Sequence, residues 1–232
     1  MAQFDTLSTA ISRQLSSLTR QARRVFITPA LPRPRFRRLW RLYLGLHLFG
    51  LGAALQVASA LGAAPWDVLH QGLSRQTGLS IGTWSVIVGA LLMLLWIPLR
   101  QRPGIGTLSN VVVVGVSVDI SLWWLPTPED LLARWALLVL GIVVTGVATG
   151  CYIGARLGPG PRDGLMTGLA ERGISVRSAR TGIEVAVVIV GFLLGGTVGV
   201  GTLLFALAIG PLAQVFLPML AIEEERDGER SA

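Results

Sequence analysis

The sequence predicts an all-α membrane protein whose six transmembrane helices form two inverted three-helix repeats. Composition is the first observation behind this fold class: 52% of the residues are hydrophobic, 14% are charged, and the mean hydropathy is +0.63. A soluble domain carries roughly 25% charged residues. Because backbone groups in lipid must form hydrogen bonds within their own segment, helices are expected rather than open strands.

An internal repeat is the second observation. Residues 61–73 and residues 157–169 are identical at seven of thirteen positions. A second pair of segments, both Gly-x-Gly-Thr, occupies residues 104–107 and 199–202 at an offset of 95 residues. This period is too long for a solenoid unit and predicts a duplicated half-domain.

Apolar stretches near the roughly 20 residues that a spanning helix needs divide the chain into its main elements. These stretches are 42–61, 81–99, 105–125, 135–156, 180–196 and 200–220. Three stretches belong to repeat 1, residues 42–126, and three belong to repeat 2, residues 133–220.

Each repeat is predicted to carry a short extra helix after its first span. Pro65 suits the first turn of such a helix because its missing N–H would be unpaired there, and Asp67 favours the positive end of the helix dipole. Pro161 and Asp163 repeat this pattern in the second half. One interpretation is that both aspartates are only helix caps at the two membrane surfaces.

The alternative interpretation makes the short helices gates on opposite faces of the membrane. The candidate gate residues are Pro65, Trp66, Asp67, Pro161, Arg162 and Asp163. One difference between the copies, Trp66 against Arg162, favours specialisation. An aromatic residue at the outer interface and an arginine at the inner one are also what membrane placement alone selects.

Charge predicts the orientation of the chain. All 20 basic residues are arginine, and 18 of them lie in, or at the edges of, the segments that a cytoplasmic N-terminus would place inside. Such a bias predicts that both termini are cytoplasmic. Since each half holds three spans, the halves run in opposite directions across the membrane, as in many secondary transporters. No chain is left over for a basic soluble domain, so nucleic acid is not an expected partner.

The two ends differ from the apolar middle. Residues 1–41 hold nine arginines and one acid, Asp5, with apolar residues at helical spacing. Three interpretations stay open for this arm: an amphipathic helix on anionic lipid headgroups, an organelle transit peptide, or a tail that only enforces topology. Residues 221–232 form a charged tail that is expected to be solvated and cytoplasmic.

Polar residues within the apolar stretches are the candidates for a substrate path. They are Gln56, Asn110, Asp119, Tyr152, Glu184 and Gln214. An ionisable group in lipid costs about 2.5 kcal/mol or more, so it should face the bundle interior or a water-filled cavity. The competing interpretation is structural pairing, for example of Glu184 with Arg177 or Arg180 on its own helix.

Catalytic, metal and cofactor chemistry are not expected. His47 and His70 have no Cys or Glu at ligand spacing, so no metal site is predicted. The chain has no lysine and therefore no Walker-type phosphate loop, and it lacks a nucleophile elbow. For the two Gly-x-Gly-Thr segments, a tight start of the third and sixth spans is favoured over an anion cradle.

The motifs at residues 61–69, 106–110 and 152–165 resemble the YczE/YyaS/YitT family of bacterial integral membrane proteins. The resemblance covers about residues 40–220 and implies a multi-pass protein of the bacterial inner membrane. The expected function is a small secondary transporter or exporter of an unidentified solute. The alternative is a membrane scaffold for an enzyme complex. Whether copies of the chain form a homo-oligomer is left open.

Overall fold

The computed structural model describes residues 35–222, which form eight helices and contain no strand. The helices are α1 (Arg35–Ser59), α2 (Pro65–Thr77), α3 (Ile81–Leu99), α4 (Ile105–Trp124), α5 (Leu131–Gly154), α6 (Pro161–Ala170), α7 (Val176–Leu193) and α8 (Val200–Leu220). The two short extra helices are present as α2 and α6. Most of the N-terminal arm and nearly all of the charged tail lie outside the described residues, so the hypotheses about them stay predictions.

Five of the described helices, α1, α3, α4, α5 and α8, are long and apolar enough to cross a membrane. The predicted fifth stretch corresponds to α7, which has 18 residues and carries Arg177, Arg180 and Glu184 in its first half. These charges exclude α7 from the group that composition alone identifies as spans. Large apolar side chains on the outside, such as Leu94 and Leu207 at 59% and 75% exposure, are suited to lipid contact.

Helix α1 begins seven residues earlier than its predicted apolar stretch, because arginines of the predicted arm belong to it. Arg38 is fully buried and donates a hydrogen bond of 3.1 Å to the Ala155 carbonyl at the end of α5. Arg41 donates one of 2.7 Å to the Leu220 carbonyl at the end of α8. The last carbonyls of a helix lack intrahelical partners and lie at the negative end of its dipole, which explains both contacts.

Helices α1 and α5 form the central pair of the bundle, with α4 against α1 and α8 against α5. Glycines let the two central backbones approach closely. A Cβ added at Gly45 would lie 2.7 Å from the Tyr152 nitrogen, and one added at Gly141 would lie 2.8 Å from the Gly52 carbonyl oxygen. Small residues are typical of helix contacts in membranes, where association depends on close packing.

The backbone repeats itself along the chain in step with the sequence. Each described residue with positive φ has a counterpart 95 or 96 positions away that also has positive φ. The pairs are Ala60 with Arg156, Gly62 with Gly158, Gly78 with Gly173, and Arg100 with Gly195. Left-handed backbone is unfavourable for residues other than glycine, so its recurrence at matched positions indicates that both halves follow the same chain path.

The Gly-x-Gly-Thr segments make equivalent helix starts. Gly104 donates its N–H to the Thr107 hydroxyl at 3.1 Å, and Gly199 donates its N–H to the Thr202 hydroxyl at 3.3 Å. The following glycines, Gly106 and Gly201, each donate to a carbonyl of the other half at 2.8 Å. The prediction of a tight helix start is confirmed.

One packing contact distinguishes the two halves. Helices α3 and α4 pack directly on each other, whereas α7 and α8 are not a packed pair in the described part of the chain. A Cβ added at Gly115 in α4 would lie 2.5 Å from the Gly82 carbonyl oxygen in α3. Its counterpart in α8, Gly210, has no atom within 4 Å of an added Cβ. The outer two helices are therefore packed together in the first half, whereas the equivalent helices of the second half are separated at the matching position.

Candidate functional site

A cavity of about 210 Å³ lies among all eight helices. One lining residue from each helix, in chain order, is Phe49, Trp66, Ser85, Asn110, Tyr152, Arg162, Glu184 and Phe205. Ten of the twelve residues that the sequence singles out line this one cavity. They are Gln56, Pro65, Trp66, Asp67, Asn110, Tyr152, Pro161, Arg162, Asp163 and Glu184.

The two short helices begin at this cavity. Pro65 and Pro161 occupy the first helical position of α2 and α6, and the first turn of each helix lines the cavity wall. The N-cap residues are Ala64 and Gly160, and neither helix has a side-chain cap hydrogen bond. Asp67 and Asp163 are therefore first-turn residues that line one interior space, and their position relative to the two membrane surfaces stays a prediction.

Arg162 and Trp66, which occupy equivalent positions in the two repeats, meet inside the cavity. The Arg162 guanidinium carbon lies 5.0 Å from the centre of the Trp66 ring, which is the geometry of a cation–π contact. Among the described residues, the Arg162 guanidinium has no hydrogen bond, and no carboxylate oxygen lies within 4.0 Å of it. Its hydrogen-bonding capacity is therefore available to a molecule in the cavity.

The two first-turn aspartates have different neighbours. The Tyr152 hydroxyl donates a hydrogen bond of 2.8 Å to Asp163 Oδ2. Asp67 is 6% exposed, and its Oδ1 lies 3.4 Å from Nδ1 of the fully buried His70. Tyr152 and Asp163 thus form a fixed pair, whereas both ring nitrogens of His70 lack a hydrogen-bond partner in the described part of the chain.

Gln56 lines the cavity and has an unsatisfied side-chain acceptor. Its amide nitrogen donates to the Gly52 carbonyl at 3.1 Å and to the Thr145 hydroxyl at 3.2 Å. The side chain is 1% exposed, and Oε1 has no hydrogen-bond partner among residues 35–222. A buried acceptor left without a donor costs about 1–3 kcal/mol, so a donor in the cavity would stabilise this site.

Glu184 forms the structural pair that the sequence offered as one interpretation. Arg180 Nε lies 2.9 Å from Glu184 Oε1, one helical turn apart on α7. Both residues also line the cavity. The pairing hypothesis is confirmed for Arg180, and the pair adds one charge of each sign to the wall.

Asp119 and Gln214 do not line the cavity, contrary to their prediction as path residues. Asp119 accepts hydrogen bonds from the Ser80 hydroxyl at 2.6 Å and from the Gly82 N–H at 2.8 Å, at the start of α3. It therefore joins α3 to α4. Gln214, at the equivalent position of α8, is exposed and has no such partner in the described residues.

A reciprocal pair of arginines escaped the sequence reasoning. Arg38 near the start of α1 binds the carbonyl end of α5, and Arg134 near the start of α5 binds the carbonyl end of α1. Arg134 Nε donates to the Ser59 carbonyl at 2.8 Å, and Nη2 donates to the Ala60 carbonyl at 2.7 Å. The offset of 96 residues between the two arginines was the signal that could have found them.

Residues 35–222 contain no group of three or more His, Cys, Asp or Glu side chains placed to hold a metal ion. The cavity offers instead two guanidinium groups, three carboxylates and an unsatisfied amide oxygen. Such a wall is suited to a small polar molecule held through charge and hydrogen bonds.

Eight helices around a charged interior cavity, most of them able to cross a bilayer, define a multi-pass helical membrane protein. The chain belongs to the family of unknown function DUF6198, whose sequence model matches residues 36–218.

Relatives of similar length support the assignment. An uncharacterized protein of Haemophilus influenzae strain Rd is 40% identical over 188 residues, which cover 81% of this chain and 86% of the relative. The uncharacterized membrane protein YczE of Bacillus subtilis strain 168 is 36% identical over 183 residues, or 77% and 85% of the two chains. YyaS of the same bacterium is 29% identical over 184 residues, or 76% and 90%. The resemblance to YczE and YyaS is confirmed, and no solved structure matches the chain.

Proposed function

We propose that this protein is a small secondary transporter of the bacterial inner membrane that works by alternating access between its two halves. Both termini are cytoplasmic, α7 is the sixth span, and the two halves are inverted repeats. The observation that carries the proposal is the meeting of two short helices, from equivalent positions of the two halves, at one charged cavity. Transporters built from inverted repeats bind solutes at such a place, with short-helix N-termini directed at the substrate.

The state of the cavity wall supports a binding role over a packing role. Polar and charged groups in a membrane interior are costly unless they are paired. Here Gln56 Oε1 is buried without a hydrogen-bond partner, and the half-buried Arg162 guanidinium makes a contact with the Trp66 ring but no hydrogen bond within the described residues. A solute that satisfies both groups would offset that cost.

The difference between the halves supports alternation. Asp119 and the Gly82–Gly115 contact hold α3 against α4, and the equivalent contact between α7 and α8 is absent from the described residues. Two related halves offer a second conformation in which these roles are exchanged. One half would open as the other closes, so the cavity would face each side of the membrane in turn.

Flux from a complex mixture of metabolites tests the proposal even though the solute is unidentified. Full-length protein in liposomes is given a uniformly ¹³C-labelled extract of bacterial small metabolites, with and without a pH gradient, and uptake is followed by mass spectrometry. We expect at least one solute to enter vesicles with wild-type protein and not protein-free vesicles. Arg162→Gln should abolish this uptake, and Arg102→Gln, at an exposed position outside the cavity, should not.

Absence of any protein-dependent uptake, with or without the gradient, would contradict transport. The scaffold hypothesis rests on the N-terminal arm, most of which lies outside the described residues, and no contact within residues 35–222 favours it. The chain is also proposed to have no enzymatic activity, and an extract component that is chemically altered by the vesicles would contradict this.

A further inference from the structure

We infer that the cavity binds a small free zwitterion, a molecule that carries an anionic oxygen group and an ammonium group a few bonds apart. The inference names the substrate class of the transporter proposed above and rests on that function. Amino acids, betaines and aminosulfonates belong to this class.

The anionic group has donors that nothing else in the described chain uses. The first-turn N–H groups of Trp66 and Asp67 in α2, and of Arg162 and Asp163 in α6, have no hydrogen-bond partner among residues 35–222. They lie at the positive ends of two helix dipoles, which favour an anion. The Arg162 guanidinium, held over the Trp66 ring, adds a planar fork that matches carboxylate and sulfonate oxygens.

The ammonium group has acceptors in the same cavity. Gln56 Oε1 is buried without a donor, and an ammonium is the strongest donor that a small solute offers. Asp67 presents a carboxylate whose Oδ1 lies 3.4 Å from His70 Nδ1 and whose Oδ2 has no hydrogen bond within the described residues, unlike Oδ2 of Asp163. The wall therefore has unsatisfied groups of both kinds, donors and acceptors.

Charge and hydrogen bonding together favour a zwitterion over a simple ion. With every group ionised, the two arginines and three acids of the wall sum to one negative charge. A simple anion would add a second uncompensated negative charge to a membrane interior, which is costly. A simple cation would leave the Arg162 guanidinium and the four N–H groups unsatisfied. A neutral zwitterion satisfies both kinds of group and leaves the net charge unchanged.

Cavity size favours a compact, free solute. The volume of about 210 Å³ is below the roughly 300–1,000 Å³ of pockets for drug-sized ligands. A zwitterionic lipid headgroup has the same chemistry, but its acyl chains would have to leave a cavity of this size. Lipid and free solute are therefore distinguished by experiment rather than by charge.

Binding to the purified full-length protein in detergent tests the inference. Isothermal titration calorimetry is run with the twenty standard amino acids, β-alanine, glycine betaine and taurine. Each ligand that binds is compared with its matched deaminated acid and its decarboxylated or desulfonated amine. We expect at least one zwitterion to bind and both of its matched simple ions to bind at least about tenfold more weakly, the effect of losing one charge-assisted hydrogen bond.

Variants test which side chains bind the anionic group and the ammonium group of the ligand. Arg162→Gln should weaken zwitterion binding at least about tenfold, and Arg162→Lys, which keeps the charge but loses the fork, should fall between it and wild type. Gln56→Leu should weaken the zwitterion and leave the weak binding of the matched acid unchanged. Arg102→Gln is the exposed control and should bind like wild type. Size-exclusion elution is compared for every variant. A variant that elutes as misfolded protein is replaced by a more conservative substitution at the same position.

The inference is overturned if no zwitterion of the panel binds, if a matched acid or amine binds as tightly as its zwitterion, or if only short-chain phosphatidylethanolamine binds. Its failure is distinct from failure of the transport proposal. Uptake of a solute that is not zwitterionic from the labelled extract would overturn the inference and leave transport standing. Zwitterion binding without any flux would contradict the transport proposal and leave the inference about binding standing.

Discussion

Single residues tie the ends of the central helices together. Arg38 and Arg134 occupy equivalent positions in the repeats, and each donates to carbonyl groups at the end of the opposite central helix. Both carbonyl ends lie near the negative pole of a helix dipole, where a guanidinium is favourable. These contacts explain why α1 begins within the arginine-rich segment instead of after it.

Replacing Arg134 with glutamine should destabilise the protein. The change removes hydrogen bonds of 2.8 Å and 2.7 Å to the Ser59 and Ala60 carbonyls. One contact is half-buried and the other is exposed, so we expect a loss of about 1 kcal/mol, which corresponds to a fall of a few degrees in Tm. Thermal unfolding in detergent measures it, with Arg102→Gln as the matched control. Equal Tm values for the two variants would contradict the capping role.

The buried hydroxyl of Tyr152 should contribute more to stability than the exposed hydroxyl of Tyr43 on α1. Tyr152→Phe leaves Asp163 Oδ2 without its 2.8 Å donor inside the cavity, while the ring keeps its edge contact with Phe49. We expect a loss of about 1–3 kcal/mol. Tyr43→Phe removes an exposed hydroxyl contact to Ser109 and should change the melting temperature little. A larger effect at Tyr43 would be evidence against the Tyr152–Asp163 pair.

At the scale of whole helices, the halves share short-helix starts and left-handed turns but differ in how their outer helices pack. Helices α3 and α4 are tied by Asp119, whose two hydrogen bonds reach the start of α3. The equivalent position of α8 holds Gln214, which is exposed. The spacing of apolar residues along a helix cannot show whether two neighbouring helices are packed together or separated. In both cases the helices expose similar apolar faces to lipid.

Paired glycine substitutions test whether this difference is one state of a cycle. Gly115→Ala introduces a Cβ 2.5 Å from the Gly82 carbonyl, so we expect a lower Tm. Gly210→Ala meets no atom within 4 Å and should unfold like wild type. If α7 and α8 close during transport, Gly210→Ala should nevertheless slow solute flux in liposomes. Full flux by Gly210→Ala would mean that this glycine never becomes a close contact.

At the scale of the molecule, α7 decides the topology. A helix of 18 residues with three charged side chains in its first half fails a composition test for spanning. Two of those charges, Arg180 and Glu184, pair with each other and line the interior cavity. Charges that face a cavity do not prevent a helix from crossing a bilayer, which is the physical case for a sixth span.

Cysteine labelling on either side of α7 tests that topology. In a Cys151→Ala background, Arg172→Cys and Val198→Cys place single thiols at exposed positions before and after the helix. A membrane-impermeant maleimide should label position 198 from outside intact cells and position 172 only after the membrane is opened. Labelling of both positions from the same side would show that α7 does not span and that the halves are not inverted.

Composition and residue spacing were enough to predict a helical membrane protein, most helix positions, the two short helices and ten of the residues that line the cavity. These features depend on local chemistry: apolar length, proline at a first turn and polar residues within apolar stretches. Arg38 and Arg134 are also separated by the repeat offset of 96 residues. This equivalence is easily missed because both residues lie near helix ends.

Only the tertiary structure decided that the starts of α2 and α6 meet, that Arg162 stacks on Trp66, and that Asp119 is a tie between helices rather than part of the cavity. Sequence pattern reports which residues share a face of one helix. It does not report which faces of different helices meet, because that depends on close packing at glycines and on hydrogen bonds between residues far apart in the chain. The cavity arises from those long-range contacts.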